Sequence, residues 1–366
     1  MKTTDTPKKT KMGRGSGSLA AALRQQILSG RIAPGEFAPT VRTLSEEHGT
    51  SAGTAWRALK ALEAEGLVAA CSRHGYRVLS RANDPDRGCP IAYALSAQEP
   101  GAEWTGFNRL LLASLQSAAA ARGWSLLGVG AMGVSPAAII EQSRSARAWG
   151  VIVDVHSPEL VATVRKAGLA AVMVDAWHPE AGCDAVLQDN ALGGMLAAGH
   201  LAETGCRRIG WVGPVTESVH SMDRFSGASM ALRKAGLGLR DEDVVEVAES
   251  GAREAARRLL SRSDRPDGIL VLWRGAALEV AAAARELGLE PGRDLKLVGW
   301  CAEEQYAEGW VPHFRPGAAP PVVSWSMAAL AGAAVARLAE RRTHPGMTPL
   351  RMSIPAGLRL QGPVGN

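Results

Sequence analysis

The residue types that make and break bonds are sparse here and poorly spaced for it. Cys71, Cys89, Cys183, Cys206 and Cys301 are odd in number, scattered, and never in Cys-x-x-Cys spacing. That argues against a zinc site or a disulfide framework and predicts reduced thiols packed as small apolar residues. After residue 90 the lysines are only Lys166, Lys234 and Lys296. None stands in a cofactor motif of the kind a Schiff-base enzyme needs. No Ser/His/Asp order and no metal-spaced cluster is visible, so the expected chemistry is recognition, with no metal and no cofactor.

Charge points to what is recognised. The net +5 of the chain is concentrated at one end. Residues 1–90 hold 14 Lys and Arg against 8 Asp and Glu, while residues 91–366 hold 27 against 28. A small basic module on a near-neutral body is the electrostatic footprint of a nucleic-acid binder. Lys8, Lys9 and Lys11 also fit a solvated tail, and charge alone does not separate the two readings. With 46% hydrophobic and 21% charged residues the composition is globular. No apolar run approaches the ~18–20 residues of a membrane span, and the basic N-terminus has no apolar stretch behind it. A cytoplasmic protein is expected.

The elements that must position these residues follow from periodicity and punctuation. Residues 1–18 read as a mobile tail rich in Lys, Thr, Gly and Ser. Residues 19–29 read as an amphipathic helix, residues 41–48 as a second helix ended by Gly49, and a third runs from a Thr50 or Ser51 cap to about residue 65. Residues 67–71 and 76–79 flank Ser72-Arg73-His74-Gly75 as a hairpin. Three helices and a hairpin over residues 19–80 describe a winged helix-turn-helix. Ser51, Gly53 and Thr54 open the third helix, where N–H and hydroxyl groups suit phosphate or base-edge contact. Residues 81–90 are polar with Pro and Gly, a linker. From residue 91 on, short apolar runs alternate with Ala-rich helical stretches. The class is therefore α/β, with parallel sheets covered by helices, and about 275 residues of it predict two lobes.

Two resemblances rest on particular residues. Ile32-Ala33-Pro34-Gly35, Pro39-Thr40-Val41-Arg42-Thr43-Leu44, Ser51-Ala52-Gly53-Thr54-Ala55-Trp56-Arg57-Ala58-Leu59, Leu62 to Val68 and Gly75-Tyr76-Arg77-Val78 resemble the GntR-family winged helix. The resemblance implies operator DNA as partner, with Arg42 at the start of the second helix on the DNA. Ser51, Gly53, Thr54 and Arg57 would lie on the recognition helix, and Arg73, His74 and Gly75 at the wing tip. The family often carries arginine where this chain has Ala52 and Trp56. Fewer guanidiniums at base edges mean fewer bidentate guanine contacts, each worth about 1–3 kcal/mol of discrimination.

The body resembles the LacI/GalR-type effector domain, related in fold to periplasmic sugar-binding proteins. The residues that carry this are Val186 to Gly194, Ala198-Gly199-His200-Leu201, Arg208 to Gly213, Arg224-Phe225-Ser226-Gly227, Leu297-Val298-Gly299-Trp300 and the stretch at residues 330–338. A GntR reader joined to such a sensor resembles the arabinose-repressor type of regulator. The resemblance implies an effector in a cleft between two lobes at the carboxyl ends of the strands. It would be held by Asp175, Asp189, Asn190, Arg224, Trp273, Arg274, Cys301 and Trp325, with Arg224 at a helix start. The family usually has Asn-Asp at Trp273-Arg274, Asp at Cys301, and often Gln at Trp325. Hydroxyl-pairing groups are lost and indole surface is gained. An effector less hydroxylated than a free sugar is expected, or a larger glycoside stacked on tryptophan. Other roles for these residues stay open: Trp300 and Trp211 read as core, and Asp189-Asn190 also fits a helix cap.

The implied function is a ligand-responsive transcription regulator, a repressor, homodimeric on two-fold operators. The alternative is a GntR-type fusion with a cofactor-binding enzyme, which the three lysines of the body disfavour.

Overall fold

The structure is a computed structural model describing residues 15–28, 31–33, 35–65, 67–71, 75–79, 89–94, 106–129, 135–154 and 157–360 of the 366-residue chain. The described residues fall into two compact units, the first ending at Cys89 but counting Ala121–Trp124 with it, the second made of the rest from Pro90 on.

In the first unit α1 spans Ser16–Leu28, α2 Val41–His48 and α3 Ala52–Ala64, followed by the antiparallel strands β1 (Val68–Cys71) and β2 (Gly75–Val78). Leu19, Leu23, Leu44, Leu59 and Leu62 form its core. Both short helices start on a side-chain cap: Thr40 and Ser51 each accept the N–H three residues on, at 3.1 and 3.2 Å. Gly49, at φ 58°, closes α2 in the left-handed region. Arg24 Nε donates to Glu65 at 2.8 Å and ties α1 to the end of α3. One expectation is corrected. Helix α1 begins at Ser16, inside the stretch read as tail, with Ser18 Oγ donating to the Gly15 carbonyl at 2.9 Å. Arg73, His74 and most of the expected linker lie outside the described residues, and Pro90 already opens a strand.

The second unit holds two parallel sheets. Its first elements are β3 (Pro90–Ala94), α4 (Gly106–Ala120), β4 (Ser125–Val129), α5 (Pro136–Ser145), β5 (Gly150–Val153), α6 (Pro158–Lys166), β6 (Ala170–Val174) and β7 (Asp184–Gln188). Then come α7 (Asn190–Glu203), β8 (Ile209–Val212), α8 (Val219–Lys234), β9 (Val244–Val245), α9 (Ala252–Leu260), β10 (Gly268–Val271), α10 (Arg274–Glu286) and β11 (Lys296–Trp300). The chain ends with α11 (Glu303–Gly309), β12 (Val322–Ser324), α12 (Met327–Thr343), β13 (Arg351–Ile354) and β14 (Gly357–Arg359). The first sheet runs β13-β7-β6-β5-β3-β4 and the second β14-β12-β11-β10-β8-β9. All pairings in both are parallel except β12 with β14. Central strands such as β5 and β10 are buried along their whole length, as expected for sheets covered on both faces.

The chain passes between the two lobes three times: after Gln188, after Ser324 and after Ile354. Helix α7 packs on the second sheet, whereas α12 returns to pack on β5, β6 and β7 of the first. Helix α8 belongs to the second lobe through Ala228 and Leu232, but its first residue, Val219, is buried in the core of the first. Strands β7, β9, β12, β13 and β14 were not foreseen. They are short, or carry polar residues such as Asp184 and Gln188 at their ends, which hides the apolar run. Helix α8 starts five residues before the expected start at Arg224.

Helices α7 and α8 approach through glycine. A Cβ at Gly194 would lie 2.1 Å from the Arg224 carbonyl oxygen, and one at Gly227 would lie 2.1 Å from that of Ala191. Only a bare backbone fits at either place. Gly227→Ala is therefore expected to destabilise the second unit by about 1–3 kcal/mol through overpacking. Gly199→Ala, on the same α7 with nothing within 4 Å of its Cβ, is expected to leave the melting temperature unchanged or slightly raised. Thermal denaturation followed by circular dichroism checks the pair.

Candidate functional site

On the first unit the cap of α3 sets the geometry. Ser51 Oγ accepts from Thr54 N and lies 2.9 Å from Thr54 Oγ1, and a side chain added at Gly53 would meet only that Ser51 hydroxyl. The N-terminal turn of α3 is thus open to a phosphate or a base edge. Trp56 is half exposed with Lys60 Nζ 5.9 Å from its ring, and Arg57 is exposed beside it. Trp56 therefore belongs to the outer face of α3, while Ala55, Ala58, Leu59 and Leu62 fill the core side. Arg42 is 87% exposed and reaches Glu46 at 3.0 Å. An exposed ion pair of this kind is worth little and is easily traded for a phosphate. Gly75, at φ 95°, takes a left-handed turn at the start of β2. Arg77 Cζ sits 5.0 Å from the Phe37 ring on the same unit, a basic side chain the sequence reading did not single out.

In the second unit a cavity of about 490 Å³ opens at the carboxyl ends of both sheets. Asp175, Arg224, Trp273, Arg274, Cys301 and Trp325 all line it; Asp189 and Asn190 do not. Asp189 caps α7, accepting from Leu192 N at 3.0 Å, and Asn190 supports Arg224 from behind. Their polar side chains serve the crossover, which is why the motif does not reach the cavity.

Arg224 is the centre of the arrangement. It is 2% exposed, on the second turn of α8. Its Nε donates to Asn190 Oδ1 at 2.8 Å, Nη1 to the Leu272 carbonyl at 2.5 Å and Nη2 to Gln188 Oε1 at 3.2 Å. The guanidinium also lies 3.7 Å from the Trp300 ring centroid and 4.8 Å from that of Trp273. Burial pushes its pKa down to about 9, with Asp175 opposing, so it remains a cation at neutral pH.

The first lobe brings carboxylates. Asp154 follows β5 and Asp175 follows β6, on adjacent parallel strands. Asp154 accepts from the Tyr93 hydroxyl at 2.5 Å. Asp175 accepts from Gln188 Nε2 at 2.7 Å and from His220 Nε2 at 2.9 Å. Its φ of 49° is unusual for a non-glycine residue and is held by those two bonds. Burial, and then Asp154 and Asp175, raise the Tyr93 hydroxyl well above its usual range.

The second lobe brings aromatic surface. Trp300 and Trp325 are buried with ring centroids 6.2 Å apart, and their indole N–H groups have no hydrogen-bond partner among the described residues. Trp273 stands edge-on to His220 at 5.8 Å. Arg274, the first residue of α10, donates to the Gly309 carbonyl at 2.8 Å. The carboxylate of Glu249 lies where a Cβ on Gly275 would be. Burial pushes the Cys301 thiol up to about 11, leaving it a neutral, unreactive wall.

Sequence reasoning missed Asp154, Gln188, His220 and the cavity-facing role of Trp300. The signal for Asp154 was present, since it ends its strand as Asp175 does. Gln188 and His220 were hidden by the unread strand β7 and the late start assigned to α8. Trp211, read as core, is core: it is 2% exposed and donates to the Gly213 carbonyl at 2.9 Å.

Comparison with known proteins agrees with this division. Residues 16–78 match the family described as bacterial regulatory proteins, gntR family, and residues 198–360 match the periplasmic binding protein-like domain. The chain is 31% identical over 135 residues to the ribose operon repressor of Haemophilus influenzae, covering 36% of this chain and 40% of that protein. It is 27% identical over 151 residues to the HTH-type transcriptional repressor PurR of Photobacterium profundum, covering 40% and 45%. The chain thus spans less than half the length of these curated relatives. Among solved structures, a LacI-family regulatory protein from Chloroflexus aggregans superposes with a TM-score of 0.63 at 22% identity, over 75% of this chain and 98% of the other. A LacI-family regulator from Enterococcus faecium with bound ribose gives 0.61 at 18% identity, over 74% and 97%. A CelR–cellobiose complex gives 0.64 at 20% identity, over 88% and 99%. At these identities the likeness is one of fold. The chain joins a GntR-family regulatory domain to a periplasmic-binding-protein-like domain with the two-lobed fold of LacI-type regulators.

Proposed function

We propose that this protein is a ligand-controlled DNA-binding regulator, a repressor, working as a cytoplasmic homodimer on two-fold operators. The observation that carries the proposal is the union on one chain of a capped, open recognition helix with a cleft that converges on a buried arginine. Ser51, Gly53, Thr54, Arg42 and Arg57 are the contacts proposed for DNA, with Arg73, His74 and Gly75 at the wing. Asp175, Arg224, Trp273, Arg274, Cys301 and Trp325 are proposed to face the effector, joined by Asp154 and Trp300. The relatives named as ribose operon repressors, and the structures holding ribose and cellobiose, support a carbohydrate-like effector.

The effector proposed here is amphipathic. Carboxylates from one lobe suit hydroxyl donors, and indole faces from the other suit C–H or aryl surface. A glycoside or a sparsely hydroxylated sugar fits both halves. Its binding draws the lobes together about the three crossovers, and DNA affinity changes by the difference in effector affinity between open and closed states.

Arg42→Ala is expected to weaken binding of selected operator fragments about tenfold, the loss of one charge-assisted phosphate contact, while effector binding is unchanged. Arg224→Ala is expected to abolish effector binding and to retain DNA binding. Because that variant leaves Gln188, Asn190 and the Leu272 carbonyl without their donor, Arg224→Lys is measured beside it. Gel shifts and calorimetry on the same preparations check both; equal loss of both activities in either variant would contradict this division.

A panel of sugars and glycosides followed by tryptophan fluorescence tests the effector class. Aryl or alkyl glycosides are expected to quench or shift the emission at lower concentration than the parent sugars. Tighter binding of a simple aldohexose than of any of its glycosides would overturn this.

A further inference from the structure

A second cavity, of about 570 Å³, lies in the first lobe at the edge opposite the effector cleft. Its walls come from the amino ends of the strands: Trp149 before β5, Ala170 and Ala171 at the start of β6, and Gly182 and Cys183 before β7. The cleft residues Asp154, Asp175 and Gln188 stand at the other ends of the same three strands, roughly 15 Å away at ~3.3 Å per residue. The two cavities are therefore separate sites on one sheet.

The lining of this second cavity has one sign of charge. Arg165, Arg341 and Arg342 line it, and no carboxylate does so among the described residues. Arg165 lies over Gly182, whose Cβ would meet Nη1 at 2.6 Å, and donates to the Ala181 carbonyl at 3.3 Å. It makes no ion pair among the described residues. Arg341 is anchored from behind: Nε bonds Asp184 and Nη1 the Met347 carbonyl. Asp184 is fully buried and is shared with Arg337 at 2.9 Å, but Arg337 also pairs with Glu340 at 2.7 Å, so Arg165 is a cavity arginine left without a carboxylate partner among the described residues. The remaining nitrogen, Arg341 Nη2, is buried and has no hydrogen-bond partner among the described residues. A buried guanidinium N–H without an acceptor is costly, and an anion oxygen is the acceptor that would match it. Burial and then Asp184 push the Cys183 thiol up to about 11, with the Arg165 and Arg341 guanidiniums opposing the rise.

We propose that this cavity is an anion site for a small phosphorylated molecule, with Arg165 and Arg341 gripping the phosphate. The cavity volume exceeds that of a bare phosphate and matches a phosphorylated sugar or a mononucleotide. Arg341 is braced by the buried Asp184, so the fork is already oriented and little ordering is lost on binding. Neither the effector cleft nor the DNA-reading helix supplies any of these residues.

The full-length chain is titrated by calorimetry with ribose 5-phosphate and with inorganic pyrophosphate, and with ribose as the uncharged control. Alkylation of Cys183 is followed in parallel by peptide mass spectrometry. Both phosphates are expected to bind and to slow Cys183 alkylation about fivefold or more, through shielding and loss of thiolate. Ribose is expected to leave that rate unchanged whether or not it binds elsewhere. Arg165→Gln and Arg341→Gln are each expected to weaken phosphate binding about tenfold, and Arg165→Lys less. Should Arg341→Gln fail to fold for want of its Asp184 pair, Arg165→Gln carries the test, since Arg165 has no such pair to lose. Phosphate binding that survives Arg165→Gln unaltered, or that leaves Cys183 unprotected, would overturn the assignment. A non-operator DNA duplex is the other source of phosphate. Protection of Cys183 by that duplex but not by ribose 5-phosphate would overturn the small-molecule site.

Discussion

The second unit hangs on a buried guanidinium. Arg224 is held by an acceptor from the first lobe, Gln188, by Asn190 at the first crossover, and by the end of β10 in the second lobe through the Leu272 carbonyl. Burying a cation costs several kcal/mol unless nearly every hydrogen finds a partner. Three oxygens and two indole faces supply that compensation. The same contacts make Arg224 a measure of lobe position, because its partners cannot separate without stranding the charge. The two glycines of the α7–α8 contact serve this end, since they let the backbone carrying Arg224 come against the helix that begins with Asn190.

A cleft built around this arginine has two unlike walls. Asp154 and Asp175 are carried on strand ends and tied down by Tyr93, Gln188 and His220, so their lone pairs are directed before any ligand arrives. Trp300 and Trp325 present stiff, apolar surface with two indole N–H groups that lack partners among the described residues. A polar wall rewards correctly placed hydroxyls and rejects their absence, whereas an indole wall tolerates variation in shape. Selectivity in such a site resides mainly in the first lobe, and affinity for apolar substituents in the second.

Electrostatics divides the first sheet by edge. Carboxylates gather at the carboxyl ends of β5 and β6, and guanidiniums gather beyond the amino ends of β6 and β7. Asp184 opens β7 and Gln188 closes it, so one five-residue strand carries the anchor of the arginine cluster and the acceptor of Arg224. The first unit is built differently. Its side-chain caps at Thr40 and Ser51 shape two short helices, and the exposed, weakly paired Arg42 remains available to a phosphate.

Much of the architecture was legible from the chain alone, because it rests on local rules. The caps at Ser51 and Gly49, the apolar period of α3, the antiparallel hairpin, and the strand–helix alternation are each decided by residues within a few positions of one another. The place of Asp175 at a strand end is local in the same sense. What tertiary structure alone decided is non-local. Strand β7 is polar at both ends and becomes a strand only because β6 and β13 flank it. Asp189 turned inward to cap α7, although its motif suggested the cleft, because an unmet helix N–H competes for the nearest carboxylate. Trp300 read as core and is buried, yet it also lines the cavity, and its ring tip occupies the space where a Cβ on Gly193 would be, a contact between β11 and α7 that local sequence does not record. Periodicity reports which face of an element is apolar, but it carries no record of which distant element that face meets, and that pairing is what creates both cavities.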